Sequence, residues 1–160
     1  MQAPELCNFL GETFHAKIRA SLNILQQNIE EWLLEFTNGQ MINREDLERK
    51  CSSLIQELEK HLRKKETIFY PYVLLYEDWK LNTEQKPNLA KGSIDMMVKE
   101  QNKILDLLNQ IMQITRMVNL NECKNKVCLL CVTEILDLNK MLNKLFTIEQ
   151  SILFPKLFAA

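Results

Sequence analysis

The chain has 160 residues and a formal net charge of −1. That length suits one domain, 1–160, able to bury a core without disulfides. The near balance of charge gives no electrostatic case for nucleic acid, and no apolar run is long enough to span a membrane.

Gly and Pro are scarce while Leu, Ile, Lys, Glu, Asn and Gln dominate, a composition that favours helices. The first residues lack a basic region followed by an apolar one, so no signal peptide is expected. Five cysteines with no sign of secretion point to reduced thiols in a cytoplasm.

The first predicted helix starts near Pro4, which suits a first turn, and runs to about Phe36, where Thr37, Asn38 and Gly39 supply a stop. Its apolar seam is His15, Ile18, Leu22, Leu25, Ile29, Trp32 and Phe36, in the alternating steps of three and four that a bundle helix uses. The second starts after Asn43, an N-cap with Asp46 three residues on. Its seam is Leu47, Cys51, Leu54, Leu58, His61, Lys65 and Ile68, with Pro71 set to kink or end it. A loose helical extension is expected over 70–79, and 80–92 is the longest connection. Ser93 is read as the cap of a third helix with seam Ile94, Met97, Gln101, Ile104, Leu108, Ile111, Thr115 and Val118. After a short turn at 119–121, Asn121 caps a fourth with seam Val127, Cys131, Ile135, Leu138, Leu142, Leu145, Glu149 and Ile152. That helix is expected to end at Pro155, with a short packed tail behind it. Four long helices joined by short first and third connections predict an all-α, up-down-up-down antiparallel four-helix bundle.

Segment 61–71, HLRKKETIFYP, has an echo at 145–155, LFTIEQSILFP. With proline set on proline, Thr67 falls on Ser151, Ile68 on Ile152, Phe69 on Leu153 and Tyr70 on Phe154. Each copy keeps half of a His-x-x-x-Glu pair: His61 with Lys65, and Leu145 with Glu149. Residues four apart share a helix face, where an imidazole and a carboxylate can hold one metal ion. His15, His61, Lys65, Gln101 and Glu149 all interrupt apolar seams in the same half of the bundle, with Glu57 and Glu100 flanking them. Buried polar groups cost about 1–3 kcal/mol each unless satisfied, so a self-satisfying cluster is expected.

Segments 61–71 and 145–155 and the pair Glu100-Gln101 resemble the helix motifs of the hemerythrin-like domain, closest to its branch of iron–sulfur cluster repair di-iron proteins. The similarity covers nearly all of the chain. It implies a bundle that holds two irons with histidines from all four helices and two bridging glutamates. His15 and His61 then match the first- and second-helix histidines, Glu149 a bridging glutamate, and Glu57 and Glu100 accessory carboxylates. Lys65 stands where the other bridging glutamate belongs, and Gln101 and Leu145 where the third- and fourth-helix histidines belong. Two histidines in the whole chain exclude a four-histidine site.

Removing metal from such a site strands Glu149 as a buried anion, and Lys65 at the facing position supplies a cation. The expectation is a structural polar layer of Lys65, Gln101 and Glu149 in a non-enzymatic, metal-free binding or regulatory bundle without a cofactor. The alternative is a residual site for iron or another divalent metal on His15, His61 and Glu149, helped by Glu57 or Glu100. As the resemblance implies, it would serve iron–sulfur cluster repair or the nitrosative and oxidative stress response. No Ser-His-Asp grouping, phosphate loop or nucleotide fingerprint appears. Cys128-x-x-Cys131, with Cys123 nearby, lies inside a helix and reads as core or surface thiols. The aromatic run Tyr70, Tyr72, Tyr76 and Trp79 reads either as a surface for an unknown protein partner or self-association, or as packing over the bundle end.

Overall fold

The computed structural model describes residues 1–37, 43–75, 91–116 and 126–158. Among the described residues every long element is helical and no strand occurs. The order is α1 (Ala3–Leu10), a π turn (Gly11–His15), α2 (Ala16–Thr37), α3 (Arg44–Lys64), a π turn (Lys65–Phe69), α4 (Lys91–Arg116), α5 (Lys126–Ile148), a π turn (Glu149–Leu153) and α6 (Phe154–Phe158). Each π turn is continuous with the helices around it, and helix resumes over 70–75 behind the second. The result is the four-helix bundle expected, with α2 packed on α5, α3 on α4, and each consecutive pair also in contact.

The seams face one core, which includes Ile18, Leu22, Trp32, Leu54, Leu58, Leu108, Ile135 and Leu142. Asn43 caps α3 through its side chain, 3.0 Å from the Asp46 amide that donates to it, and Glu5 accepts from the Gln2 amide at the start of α1. α1 packs against the Glu149–Leu153 turn and closes that end of the bundle.

The π turns change the register. The Tyr70 amide donates to the Lys65 carbonyl and the Phe154 amide to the Glu149 carbonyl, each five residues back rather than four. Ile68 and Ile152, expected on the seams, are therefore exposed, at 64% and 47%. Phe69 and Leu153 are buried in their place, and Phe69 meets the Phe154 ring edge-on at 5.4 Å. The wider turns also carry the chain through both prolines. Helix runs past Pro71 to residue 75 and past Pro155 to Phe158, so the expected end at Pro155 is corrected.

Ser93 lies inside α4, which begins at Lys91, and is not its cap. Cys7, Cys51 and Cys131 are free and buried. Cys128 is disulfide-bonded, so the expectation of reduced thiols fails there, and Cys128 and Cys131 do not pair with each other. The side chain of Phe36, along with Tyr76, Trp79, Val118, the 119–121 turn with its Asn121 cap, Cys123 and most of the 80–92 connection, falls outside the described residues. No described helix is long and apolar enough to cross a membrane.

Candidate functional site

The three π turns meet at one level of the bundle. The first ends on His15, and the other two begin on Lys65 and Glu149. Wide turns of this kind aim side chains that an α-helix would direct elsewhere, and they recur at functional sites. His61, one turn before Lys65 on α3, and Gln101 on α4 complete the level. His15 and His61 are 2% exposed, while Lys65, Gln101 and Glu149 are fully enclosed.

Glu149 is the centre of the cluster. Its Oε1 accepts from Lys65 Nζ at 2.7 Å and from Gln101 Nε2 at 3.1 Å. Its Oε2 accepts from the Tyr70 hydroxyl at 3.0 Å. Gln101 Nε2 also lies 3.3 Å from His61 Nε2, and Gln101 Oε1 accepts from Gln150 Nε2 at 2.8 Å. The Lys65 ammonium stands 5.4 Å from the centre of the Phe146 ring, within cation–π range. Burial pushes the Lys65 pKa down from its ordinary value, and Glu149 pulls it back up.

Each histidine is held by a carboxylate from the next helix. His15 Nδ1 lies 2.9 Å from Glu66 Oε1, and His61 Nδ1 lies 3.0 Å from Glu100 Oε2. Both carboxylates are tied outward to a base, Glu66 to Arg19 and Glu100 to Lys64. Burial pushes both histidines down to about 4, the Lys65 charge adding to it against the pull of Glu66 or Glu100. Both imidazoles are therefore neutral near pH 7. Nδ1 must carry the proton, because a bare Nδ1 would oppose a carboxylate oxygen. His61 Nε2 then accepts from Gln101. His15 Nε2 is in long hydrogen-bond contact, 3.5 Å, with the Tyr70 hydroxyl that also donates to Glu149. Burial raises the Glu66 and Glu100 carboxyls, but their hydrogen bonds to Arg19 or Lys64 and to histidine hold them below the usual range.

A row of hydrogen bonds thus crosses the bundle from Arg19 through Glu66, His15, Tyr70, Glu149, Gln101, His61 and Glu100 to Lys64. Of this row, Arg19, Glu66, Tyr70 and Lys64 were not singled out from the sequence as part of the layer, nor was Gln150 beside it. Tyr70 belongs to the aromatic run that reads either as a partner surface or as packing over the bundle end; the residue is 7% exposed and its hydroxyl points inward, while Tyr72 is half-buried. Glu66 takes the place by His15 that no sequence reading gave it, and Gln150 supports Gln101. Glu57, read as an accessory carboxylate, instead pairs with Lys103 at 3.5 Å near the surface. The missed signal was adjacency: Glu66 follows Lys65 and Gln150 follows Glu149 as Glu100 precedes Gln101, so each sits on the shoulder of an inward residue.

These residues do not fit a pair of metal ions. Both oxygens of Glu149 face N–H or O–H donors, one of them a cation. Leu145 is an enclosed apolar side chain, and among the described residues no three His, Cys, Asp or Glu side chains converge on one point.

No curated protein and no solved structure matches the chain. The family model of the hemerythrin HHE cation-binding domain matches residues 12–157, and the chain belongs to that family.

Proposed function

We propose that this is a non-enzymatic, metal-free member of its family, a binding or regulatory bundle in which an internal ion pair replaces bound metal. The observation that carries the reading is the Lys65 ammonium, enclosed and 2.7 Å from Glu149 Oε1. A cation fixed there balances the buried carboxylate that a metal would otherwise balance. The protein acts on other macromolecules rather than on a substrate, and its place is the cytoplasm; the disulfide at Cys128 is the observation against that placement. The test is uptake of ferrous iron under anaerobic conditions, and separately of zinc, read as metal retained per chain after desalting. Near-zero retention of both is expected. About one metal per chain, lost in His61→Ala, would overturn the reading.

One observation favours a second reading. His15 and His61 both turn Nε2 inward while a carboxylate fixes Nδ1, the support that metal-ligating histidines receive. A reduced site for iron or another divalent metal would use that arrangement, in a protein of iron–sulfur cluster repair or stress response. The same titration separates the two.

A further inference from the structure

α1 has eight residues and is loosely tied to the rest of the chain. It shows the bundle one apolar face, Ala3, Leu6, Cys7 and Leu10, spaced along a single side of a helix. Two of these side chains are small, so the two leucines supply most of the grip. Among the described residues no side-chain hydrogen bond or ion pair joins α1 to another element; the bond from the Gln2 amide to Glu5 stays within its own first turn. One flank is open, where a cleft of about 490 Å³ separates Cys7, Asn8 and Gly11 from Tyr70, Pro71 and Leu74.

Gly11 joins α1 to the first π turn, and its amide hydrogen is shared between the Cys7 and Asn8 carbonyls. An added Cβ there would stand 4.0 Å from Tyr70 Cε2, an ordinary contact. The backbone is ordinary helix, with φ −61° and ψ −50°. Neither space nor dihedral angle calls for glycine. Its effect is on continuity, because a glycine inside a helix weakens it relative to alanine. The weak point therefore falls between α1 and the bundle.

Beneath α1 lies the polar layer. α1 packs on the turn that begins with Glu149, and the Cys7 thiol is near enough to Glu149 and Lys65 for both charges to act on it. The long helices that wall the other sides are locked together through the core along their length, so α1 is the cover that costs least to remove.

We propose that α1 is a hinged lid on the polar layer, lifting about Gly11 while the long helices stay packed and admitting solvent and small solutes to Lys65 and Glu149. The lid works whether or not the layer holds a metal, so the inference does not rest on the metal-free reading.

Three free thiols report on it: Cys7 under the lid, and Cys51 and Cys131 in the bundle core. The full chain is labelled with iodoacetamide over a series of low urea concentrations, and each thiol is read by peptide mass spectrometry. Cys7 should label about 100-fold faster than Cys51 and Cys131, with a urea dependence about half as steep or less, because lifting α1 exposes far less surface than unfolding the bundle. In parallel, the acetylating ester N-hydroxysuccinimide acetate should modify Lys65 with the same shallow urea dependence, since that amine is fully enclosed until the lid lifts. Gly11→Ala should slow both labels about fivefold. Labelling of Cys7 at the rate and urea dependence of Cys51 and Cys131 would overturn the proposal. So would Lys65 modified only together with those core thiols, which would make α1 a fraying end rather than a lid, and so would a Cys7 rate unchanged in Gly11→Ala.

Discussion

The two proline-bearing turns share a backbone and differ in chemistry. In each, an amide reaches five residues back, an isoleucine is turned out to solvent, and the next two side chains are buried. The differences that change their chemistry fall at three positions. The first residue is Lys65 in one and Glu149 in the other. The second is Glu66, which holds His15, against Gln150, which holds Gln101. The sixth is Tyr70, whose hydroxyl reaches Glu149, against Phe154, which has none. The turn is thus a mount whose geometry tolerates opposite charges, and the residue on it decides what the interior can hold.

Removing the charge from one mount should break the comparison most visibly. Lys65→Ala leaves Glu149 enclosed without its cation and should cost about 3–5 kcal/mol of stability. Urea denaturation at pH 7 measures this, and an unchanged midpoint would mean that the pair does not hold the bundle. The double variant Lys65→Met with Glu149→Leu removes both charges and should lose far less than either single change suggests. Losing the hydroxyl that separates the turns is a smaller step. Tyr70→Phe makes the sixth positions alike and removes a donor to a charged acceptor, worth about 1.5–3 kcal/mol. A loss below about half a kcal/mol would show that Lys65 and Gln101 suffice for Glu149.

Acid sharpens the contrast at the second position, where only the first turn places a carboxylate on a histidine. His15 and His61 are pushed from 6.5 to about 4 in the folded chain. Below pH 6.5 the unfolded chain takes up protons that the folded chain refuses until about 4. Stability is therefore full above that range and declines as pH falls through it. For two such sites the loss between pH 6.5 and 5.5 is about 2 kcal/mol. Stability curves flat across that interval would mean that the histidines are not held neutral.

The bundle was legible because its seams keep helical spacing over long stretches, and those seams carry His15, His61, Lys65, Gln101 and Glu149 to the interior, where all five are buried. What the spacing could not carry was the phase beyond each π turn. A seam stepped by three from Lys65 or Glu149 arrives at Ile68 or Ile152, whereas the wider turn buries Phe69 and Leu153. That one-position slip also hid the inward turn of Tyr70. The partners of the histidines were illegible for a different reason. Glu57 and Glu66 lie four residues before and five after His61, and choosing between them for His15 requires knowing how α2 and α3 cross.

The polar layer also constrains how the chain can fold. Its members come from far apart: Lys65 and Glu149 are separated by 84 residues, Tyr70 and Glu149 by 79, and Gln101 and Glu149 by 48. No pair of neighbouring helices contains the whole set. A partly docked intermediate that excludes water from Glu149 before the second and third helices arrive would hold a bare anion in an apolar groove. Such species are penalised by the same charge that the finished layer satisfies. The layer should therefore make assembly all-or-none, suppressing three-helix intermediates at some cost in folding speed, because distant loops must close before any of these contacts forms.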